Sequence, residues 1–355
     1  VPRLTIATVA AEHPMGAQVY EAEIAHRADA ALAAVDGEGW QARRLTVRSF
    51  RAATPGNRRL PMGWVTTTSP AARRELGRLL YAGDTVSHRT NLELPPSPRA
   101  DVVTLHDVVA WKFPDESAPV AAARDELRRA AAVICVSHFS AAEAVELLGI
   151  EAPHVVHNGV DSRFFDPSSA HPEVLHRLGV DGAYVLVTGG ASARKNLEGL
   201  AVAWQEVSRA RPDLTLVLSG PEHPRRTALF ADVPSARLVG RVNGSLLPSL
   251  VAGSSALVVP SHYEGFGLPA LEGMAAGVPV VAARTSSLPE VVGDGGLLVD
   301  PTPRGLSEGI LVAVSGESEV LAMARRGRRR AEAFTWEESA RRHAEVWSAV
   351  ARSCA

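Results

Sequence analysis

Lysine is almost missing from this sequence. Of the 37 lysine and arginine residues only Lys112 and Lys195 are lysine, so nearly every cation is a guanidinium. Where arginine is the default, a lone ammonium marks a place that needs a compact point charge. Cysteine is scarce as well. Cys135 lies in an apolar, strand-like run and Cys354 in the last two residues. That pair makes no disulfide framework and points to a reducing cytosol. No Cys/His cluster has zinc-ligand spacing, so no metal site is expected. No run of about 18 apolar residues occurs, which excludes a transmembrane helix. The N-terminus opens directly on a strand-like segment, so no signal peptide is expected. The formal net charge is only -2, which argues against a dedicated nucleic-acid binder. Internal repeats and low-complexity segments are also lacking.

What is present is a chain of 355 residues, 46% of them hydrophobic, enough for two ordinary domains with filled cores. In the first half short apolar strands alternate with helices. Strands are expected at Leu4 to Ala10, Gln41 to Val47, Asp101 to Leu105, Ala132 to Val136 and His154 to His157. Helices are expected at Ala17 to Val35, Ala71 to Leu80, Val120 to Ala130 and Ser140 to Leu148. Near Asn158 the pattern breaks into NGVDSRFFDPSSAHP, a turn-rich stretch that reads as a linker. A second series follows, with strands at Tyr184 to Thr188, Leu214 to Ser219, Arg237 to Gly240, Ala256 to Val259, Val278 to Ala282 and Gly296 to Val299. Its helices are expected near Leu197 to Ala210, Leu246 to Ala252, Pro269 to Ala276, Arg304 to Val314, Glu317 to Phe334 and Trp336 to Ala351. Such alternation indicates α/β domains, each a doubly wound parallel sheet.

Charge is uneven. Between Gln41 and Leu80 nine arginines (Arg43, Arg44, Arg48, Arg51, Arg58, Arg59, Arg73, Arg74, Arg78) stand against one acid, Glu75. One explanation is a solvated basic face. The other is a patch for peripheral contact with anionic lipid, worth about 1 kcal/mol per cation near the surface.

The stretch that carries most chemistry is PSHYEGFGLPALEGMAAGVP, Pro260 to Pro279. Glu264 and Glu272 stand seven residues apart. Gly265 and Gly267 follow the first, and Pro269 favours a helix start at Leu268 or Pro269. The helix should stop at Gly277. Free N–H groups at such a start attract a phosphate. Glu264 sits just outside the start and Glu272 about one turn inside it, roughly 10 Å apart on helical rise. Carboxylates on either side of an anion site suit a ligand with hydroxylated rings flanking phosphates.

PS-x-x-EGFGLPALE resembles the EX7E signature of retaining glycosyltransferases with the GT-B fold. The resemblance is strong from Val185 to Pro301, looser from Asp101 to Asp161, and weak over the first hundred residues. It implies two Rossmann-like domains facing a central cleft. The first would be 1–163, joined by a returning C-terminal helix 337–355 that starts in FTWEESA, and would hold the acceptor. The second would be 164–336 and would hold a nucleotide-sugar. In that family the first glutamate meets the donor sugar, the Gly-Phe-Gly backbone lies against sugar and phosphate, and the second glutamate binds ribose. The resemblance therefore places Glu264 at the sugar, Gly265, Phe266, Gly267 and Leu268 along the donor, and Glu272 on the ribose.

Other segments fall into the same frame. GGASARKN, Gly189 to Asn196, follows a strand and opens a helix, a turn that can cradle phosphate. It looks like the family's E-P-R-K-N donor-phosphate motif, so Lys195, Arg194 and Gly190 are expected at the diphosphate. Some relatives carry an arginine where Gly189 stands. LHDVVAWKFP places His106 and Asp107 after a strand. The resemblance assigns His106 to the donor sugar, and Asp107 is expected to shape the loop. In VICVSHFS, Ser137 reads first as a helix cap. HNGVD resembles the family's P-N-G-V-D, and its Asn-Gly is a turn signal. In HPMGAQVY only Gly16 stands where relatives usually have two glycines near phosphate and acceptor. SGPEHP and LVGRVNGSLL supply loops, where Arg241 and Val242 would meet the base through backbone groups. Pro289 and Glu290 are expected to order a loop.

The resemblance implies hexose transfer, with mannose the first choice, from a nucleoside diphosphate to a glycan, lipid-linked or small-molecule hydroxyl, with anomeric configuration retained. No carboxylate nucleophile stands out. The family's proposed route is same-face substitution, the leaving diphosphate stabilised by cations, with no cofactor and no required metal. The expected location is the cytoplasm, peripheral on the inner membrane face. Three other readings stay open: another nucleotide-sugar enzyme such as an epimerase, a non-catalytic membrane-associated protein, and a dinucleotide-dependent oxidoreductase. The last lacks a G-x-G-x-x-G after its first strand.

Overall fold

The computed structural model describes residues 1–12, 16–166 and 172–354. Residues 13–15 of the first loop, and 167–171 of the linker-like stretch, lie outside the described residues. The chain divides into two compact units, Val1–Gly159 with Trp336–Ala355, and Val160–Thr335.

The first unit holds a seven-stranded sheet. Its strands are β1 (Arg3–Val9), β2 (Gln41–Ser49), β3 (Arg58–Leu60), β4 (Val86–Arg89), β5 (Asp101–Leu105), β6 (Ala132–Cys135) and β7 (His154–Val155), in the order β3-β2-β1-β4-β5-β6-β7. Every pairing is parallel. Leu4, Ile6, Val102 and Ile134 are buried at its core, as apolar strands covered on both faces must be. β4 was not expected, because VSHR has no apolar run. His88 and Arg89 are nonetheless fully buried. Arg89 is neutralised by Asp101 at 2.8 Å and Glu126 at 3.1 Å. A central strand can thus be polar when each buried charge has a partner.

Helix Gly16–Asp36 packs on the last helix, Trp336–Ser353. Tyr20, Ile24, Ala28 and Leu32 share one core with Trp336, Ala340, Ala344 and Trp347. The returning segment is thus an integral part of the first unit.

The arginine-rich stretch is not one free patch. Arg73 is fully buried and donates to Glu126 Oε1 at 2.6 Å and to four backbone carbonyls. Arg43 reaches Asp84 at 3.2 Å, and Arg48 donates to the Thr54 carbonyl at 3.0 Å. Arg44, Arg51, Arg58, Arg59, Arg74 and Arg78 stay exposed, and so do Phe50, Trp64 and Leu79 in the same stretch.

The second unit holds β8 (Tyr184–Thr188), β9 (Thr215–Ser219), β10 (Ala236–Gly240), β11 (Ala256–Val259), β12 (Val280–Ala283) and β13 (Leu297–Val299), in the order β10-β9-β8-β11-β12-β13. All pairings are parallel. The chain order reverses between β8 and β11, and ligands of such sheets bind beyond the strand ends at that point. Val160 N donates to Phe334 O at 3.0 Å, so entering and leaving chains pair within this unit. Pro289 and Glu290 do not order an open loop. They lie in a short helix, Leu288–Val292, with Pro289 in its first turn, where no N–H is needed. Among the described residues no helix is long and apolar enough to cross a membrane.

Candidate active site

Two loops meet at the β8/β11 switch point. The first runs from Gly189 to Asn196, the second from Pro260 to Gly267. Asn196 joins them. Its backbone is left-handed (φ 53°), a conformation asparagine tolerates better than most residues. Its amide donates to the Pro260 carbonyl at 2.9 Å and the Pro301 carbonyl at 3.0 Å. His262 N adds a bond to Arg194 O at 2.8 Å. Asn196 is a positioning residue that sequence reasoning passed over, although the R-K-N run was in view.

The joined loops bring Arg194, Lys195 and Glu264 together. Lys195 Nζ donates to Glu264 Oε1 at 2.6 Å, and Arg194 Nη1 lies 3.5 Å from Oε2. Ser261 Oγ donates to Oε1 at 2.7 Å. Burial alone would raise the Glu264 carboxyl, but Lys195, Arg194 and the Ser261 hydroxyl outweigh it and hold the pKa below the ordinary glutamate value. The Glu264 backbone is fixed too: its N–H donates to Ser286 Oγ and its carbonyl accepts from Ser287 Oγ, each at 2.9 Å. Sequence reasoning passed over both serines.

Helix Leu268–Ala275 begins within the expected range. Gly267 precedes it with φ 101°, and no side chain caps it. A Cβ at Gly267 would lie 2.7 Å from Leu288 Cδ2, so the turn admits only glycine. The Phe266 ring is buried 6.0 Å from the Phe334 ring. What the Gly-Phe-Gly segment can offer a ligand is therefore backbone. Glu272 differs from Glu264. Its carboxyl makes no hydrogen bond or ion pair with any described residue. Burial, with the charge of Asp161, pushes its carboxyl up to about 8. A half-buried carboxylate without a partner is a group that awaits one.

β8 and β9 lead into, and β10 ends on, a glycine of positive φ: Gly189 at 126°, Gly220 at 152° and Gly240 at 66°. A Cβ on Gly190 would meet nothing. The strand ends thus form a side-chain-free shelf beside Lys195. Arg241 follows it, exposed, with Val242 half-buried.

The remaining candidates belong to the first unit. Gly16 opens its helix and is exposed. Ser137 caps the helix His138–Glu143 in a reciprocal box with Ser140, as its ordinary reading held. Asp107 accepts from Val109 N at 3.0 Å and so shapes its loop. His106 Nε2 is buried without a hydrogen-bond partner, and burial lowers the ring's pKa to about 4. The imidazole is therefore neutral near pH 7. Its ring stands edge-on to Tyr20 at 4.8 Å.

Below Tyr20 a chain of hydrogen bonds has a fixed direction. The Ser339 carbonyl can only accept, so His343 Nδ1 donates to it, at 2.7 Å. Burial lowers His343 to about 4, which leaves Nε2 as an acceptor for the Tyr20 hydroxyl at 2.6 Å. Tyr20 in turn accepts from Thr104 at 2.6 Å, and Thr104 accepts from His88 Nε2 at 2.8 Å. His88 Nδ1, then an acceptor, is unpartnered.

Comparison with known proteins agrees with this architecture. Residues 176–330 match the family described as glycosyl transferases group 1, and residues 43–164 match glycosyltransferase family 4. The chain is 33% identical over 285 residues to O-antigen chain mannosyltransferase B of Escherichia coli, covering 75% of this chain and 74% of that protein. It is also 33% identical over 240 residues to the MMP alpha-(1->4)-mannosyltransferase of Mycolicibacterium hassiacum, covering 63% of this chain and 55% of that one. Sucrose-phosphate synthase from Thermosynechococcus elongatus has the same fold, with a TM-score of 0.79 at 21% identity over 99% of this chain and all of that one. HepE from Anabaena, solved with UDP and glucose, follows with a TM-score of 0.74 at 19% identity, over 97% and 99% of the two chains. The chain belongs to the group 1 glycosyltransferases, has the GT-B fold and is a glycosyltransferase of the mannosyltransferase-like kind.

Proposed function

We propose that this enzyme moves mannose from a nucleoside diphosphate, GDP by preference, to the hydroxyl of a glycan, lipid-linked or small-molecule acceptor, with retention. The observation that carries this reading is the contrast at the β8/β11 switch point. Lys195 and Arg194 share Glu264, while the Glu272 carboxyl has no partner among the described residues, on the helix that Gly267 opens. A diphosphate meets the two cations, ribose hydroxyls meet Glu272, and the sugar lies by Glu264. Gly190, Gly265, Phe266, Gly267 and Leu268 contribute backbone, and Arg241 and Val242 hold the base. His106 and Gly16 belong to the first unit, and their roles toward sugar and acceptor rest on the family resemblance alone. The two relatives named above are mannosyltransferases, which favours mannose.

The acceptor oxygen bonds to the anomeric carbon on the face from which the diphosphate leaves. The bond from that carbon to the phosphate oxygen breaks, and the acceptor's proton passes to a phosphate oxygen. Lys195 and Arg194 stabilise the charge that develops there, often the largest catalytic effect. No metal or cofactor is needed in this scheme. EDTA should leave turnover unchanged.

The exposed arginines from Arg44 to Arg78, with Phe50, Trp64 and Leu79, support peripheral contact with an anionic membrane on the cytoplasmic side. A thermal-shift screen over GDP-, UDP- and dTDP-sugars tests the donor. Stabilisation by no nucleotide-sugar would end this reading.

A further inference from the structure

Three arginines are buried among the described residues: Arg73, Arg89 and Arg226. Arg73 and Arg89 share Glu126, and Arg89 also pairs with Asp101. Arg226 has no carboxylate partner among the described residues. It is 4% exposed, in the first turn of the short helix Pro224–Phe230. Its guanidinium donates to the Gly189 carbonyl and, at 3.3 Å, to the Pro221 carbonyl. Its Nε is buried without a partner. A buried cation with only carbonyl partners is poorly compensated, and its desolvation lowers its affinity for the proton.

Its place is informative. Gly189, whose carbonyl it holds, ends β8, and a Cβ there would be 3.9 Å from Lys195 Nζ. A Cβ on Gly220 would fall 1.9 Å from Gly189 O and 2.8 Å from Arg226 Nη1. The bare strand ends therefore admit the guanidinium beside the lysine. Neighbouring Arg225 is already taken by Glu198. Arg226 adds a positive charge beside the Lys195–Glu264 pair at this turn. A sugar diphosphate diester carries two negative charges.

We infer that Arg226 is a further donor-binding residue, which compensates the pyrophosphate of the nucleotide-sugar together with Lys195. This rests on the reading that the turn takes a nucleoside diphosphate. The competing account is a clamp that ties the ends of β8 and β9 and never meets an anion.

Calorimetric titration with GDP, UDP and inorganic pyrophosphate, beside melting curves, separates the two. Arg226→Met should weaken diphosphate and pyrophosphate binding roughly 10- to 100-fold, the range of a charge-assisted hydrogen bond. Arg226→Lys should recover part of it. The melting temperature of ligand-free Arg226→Met should match or exceed that of the wild type, because an uncompensated charge is gone. Wild-type binding with a lowered melting temperature, or failure of the Met variant to fold, identifies a clamp and overturns the inference. Lys195→Ala is the control for the underlying reading. If it loses binding while Arg226→Met does not, only the inference fails. If neither variant loses binding, the donor site itself lies elsewhere.

Discussion

Lys195 Nζ and Glu264 Oε1 are 2.6 Å apart across a sequence separation of 69 residues. The carboxylate occupies the cation that a phosphate would take, and Ser261 holds it there. An arriving diphosphate must compete with Glu264 or share its cations. Either way the ligand meets donors already aimed, which lowers the reorganisation needed at reaction.

Lys195→Ala should depress kcat about 100- to 1,000-fold, the scale of losing one charge-stabilising donor. Glu264, then short of its closest cation, should show a raised pKa. Steady-state kinetics with GDP-mannose and a saccharide acceptor read the first effect. Turnover within a fewfold of the wild type would remove Lys195 from the mechanism.

Glu272 makes a pH-dependent contribution whose sign can be worked out. In the folded protein its carboxyl keeps the proton to about pH 8, in the unfolded chain only to about 4.3. Between those values the folded state binds more protons, so its ligand-free stability falls as pH rises from about 4.3 to about 8. Glu272→Gln cannot ionise. In denaturant melts it should be more stable than the wild type near pH 9 and no more stable near pH 4. Ribose hydroxyls donate to the ionised form, so wild-type GDP affinity should increase from about pH 6 to 8 and the Gln variant's should not. A stability difference that does not vary with pH would contradict the half-buried, unpaired carboxyl.

Asn196→Ala removes both amide bonds, to the Pro260 and Pro301 carbonyls, and keeps the left-handed backbone. It should cost about 2–4 kcal/mol, from two buried bonds and a strained φ. Asn196→Gly relieves only the backbone part and should fall between. Urea unfolding measures both, and equal stability of the Ala and Gly variants would count against the strain.

Tyr20→Phe breaks the directed chain from His88 to His343 without changing the ring that faces His106. It leaves the His343 Nε2 acceptor unsatisfied and should cost about 1–3 kcal/mol. Chemical denaturation of the full chain checks this. A loss below about 0.5 kcal/mol would mean that the chain is dispensable.

Vesicle co-sedimentation tests the exposed arginines. Replacing Arg58, Arg59 and Arg74 with glutamate should abolish binding to anionic vesicles at low salt, while Arg73→Gln should chiefly unfold the first unit. No preference of the wild type for anionic over neutral vesicles would dismiss the membrane reading.

Much was legible in advance because it depends on local pattern. Pro269 and the glycines on either side of Phe266 placed the helix start, and the apolar runs of β5, β8 and β11 placed strands within a residue or two. β4 was missed because Val86–Arg89 is made of residues that are buried only once Asp101, Thr104 and Glu126 have arrived from elsewhere. The arginine stretch was over-read for the same reason: one-dimensional charge does not say that Arg73 points inward.

Spacing and residue type alone determined the alternation of strands and helices, the seven-residue interval between Glu264 and Glu272, and the lone lysine in a phosphate-like turn. Tertiary structure decided which charges are spent on each other. It gave Glu264 to Lys195, left Glu272 and Arg226 without counter-ions among the described residues, and set His88 and His343 at the two ends of one hydrogen-bond chain. The physical reason is range. Backbone preferences act over a few residues, whereas desolvation and ion pairing depend on neighbours that only the folded chain brings within a few ångströms.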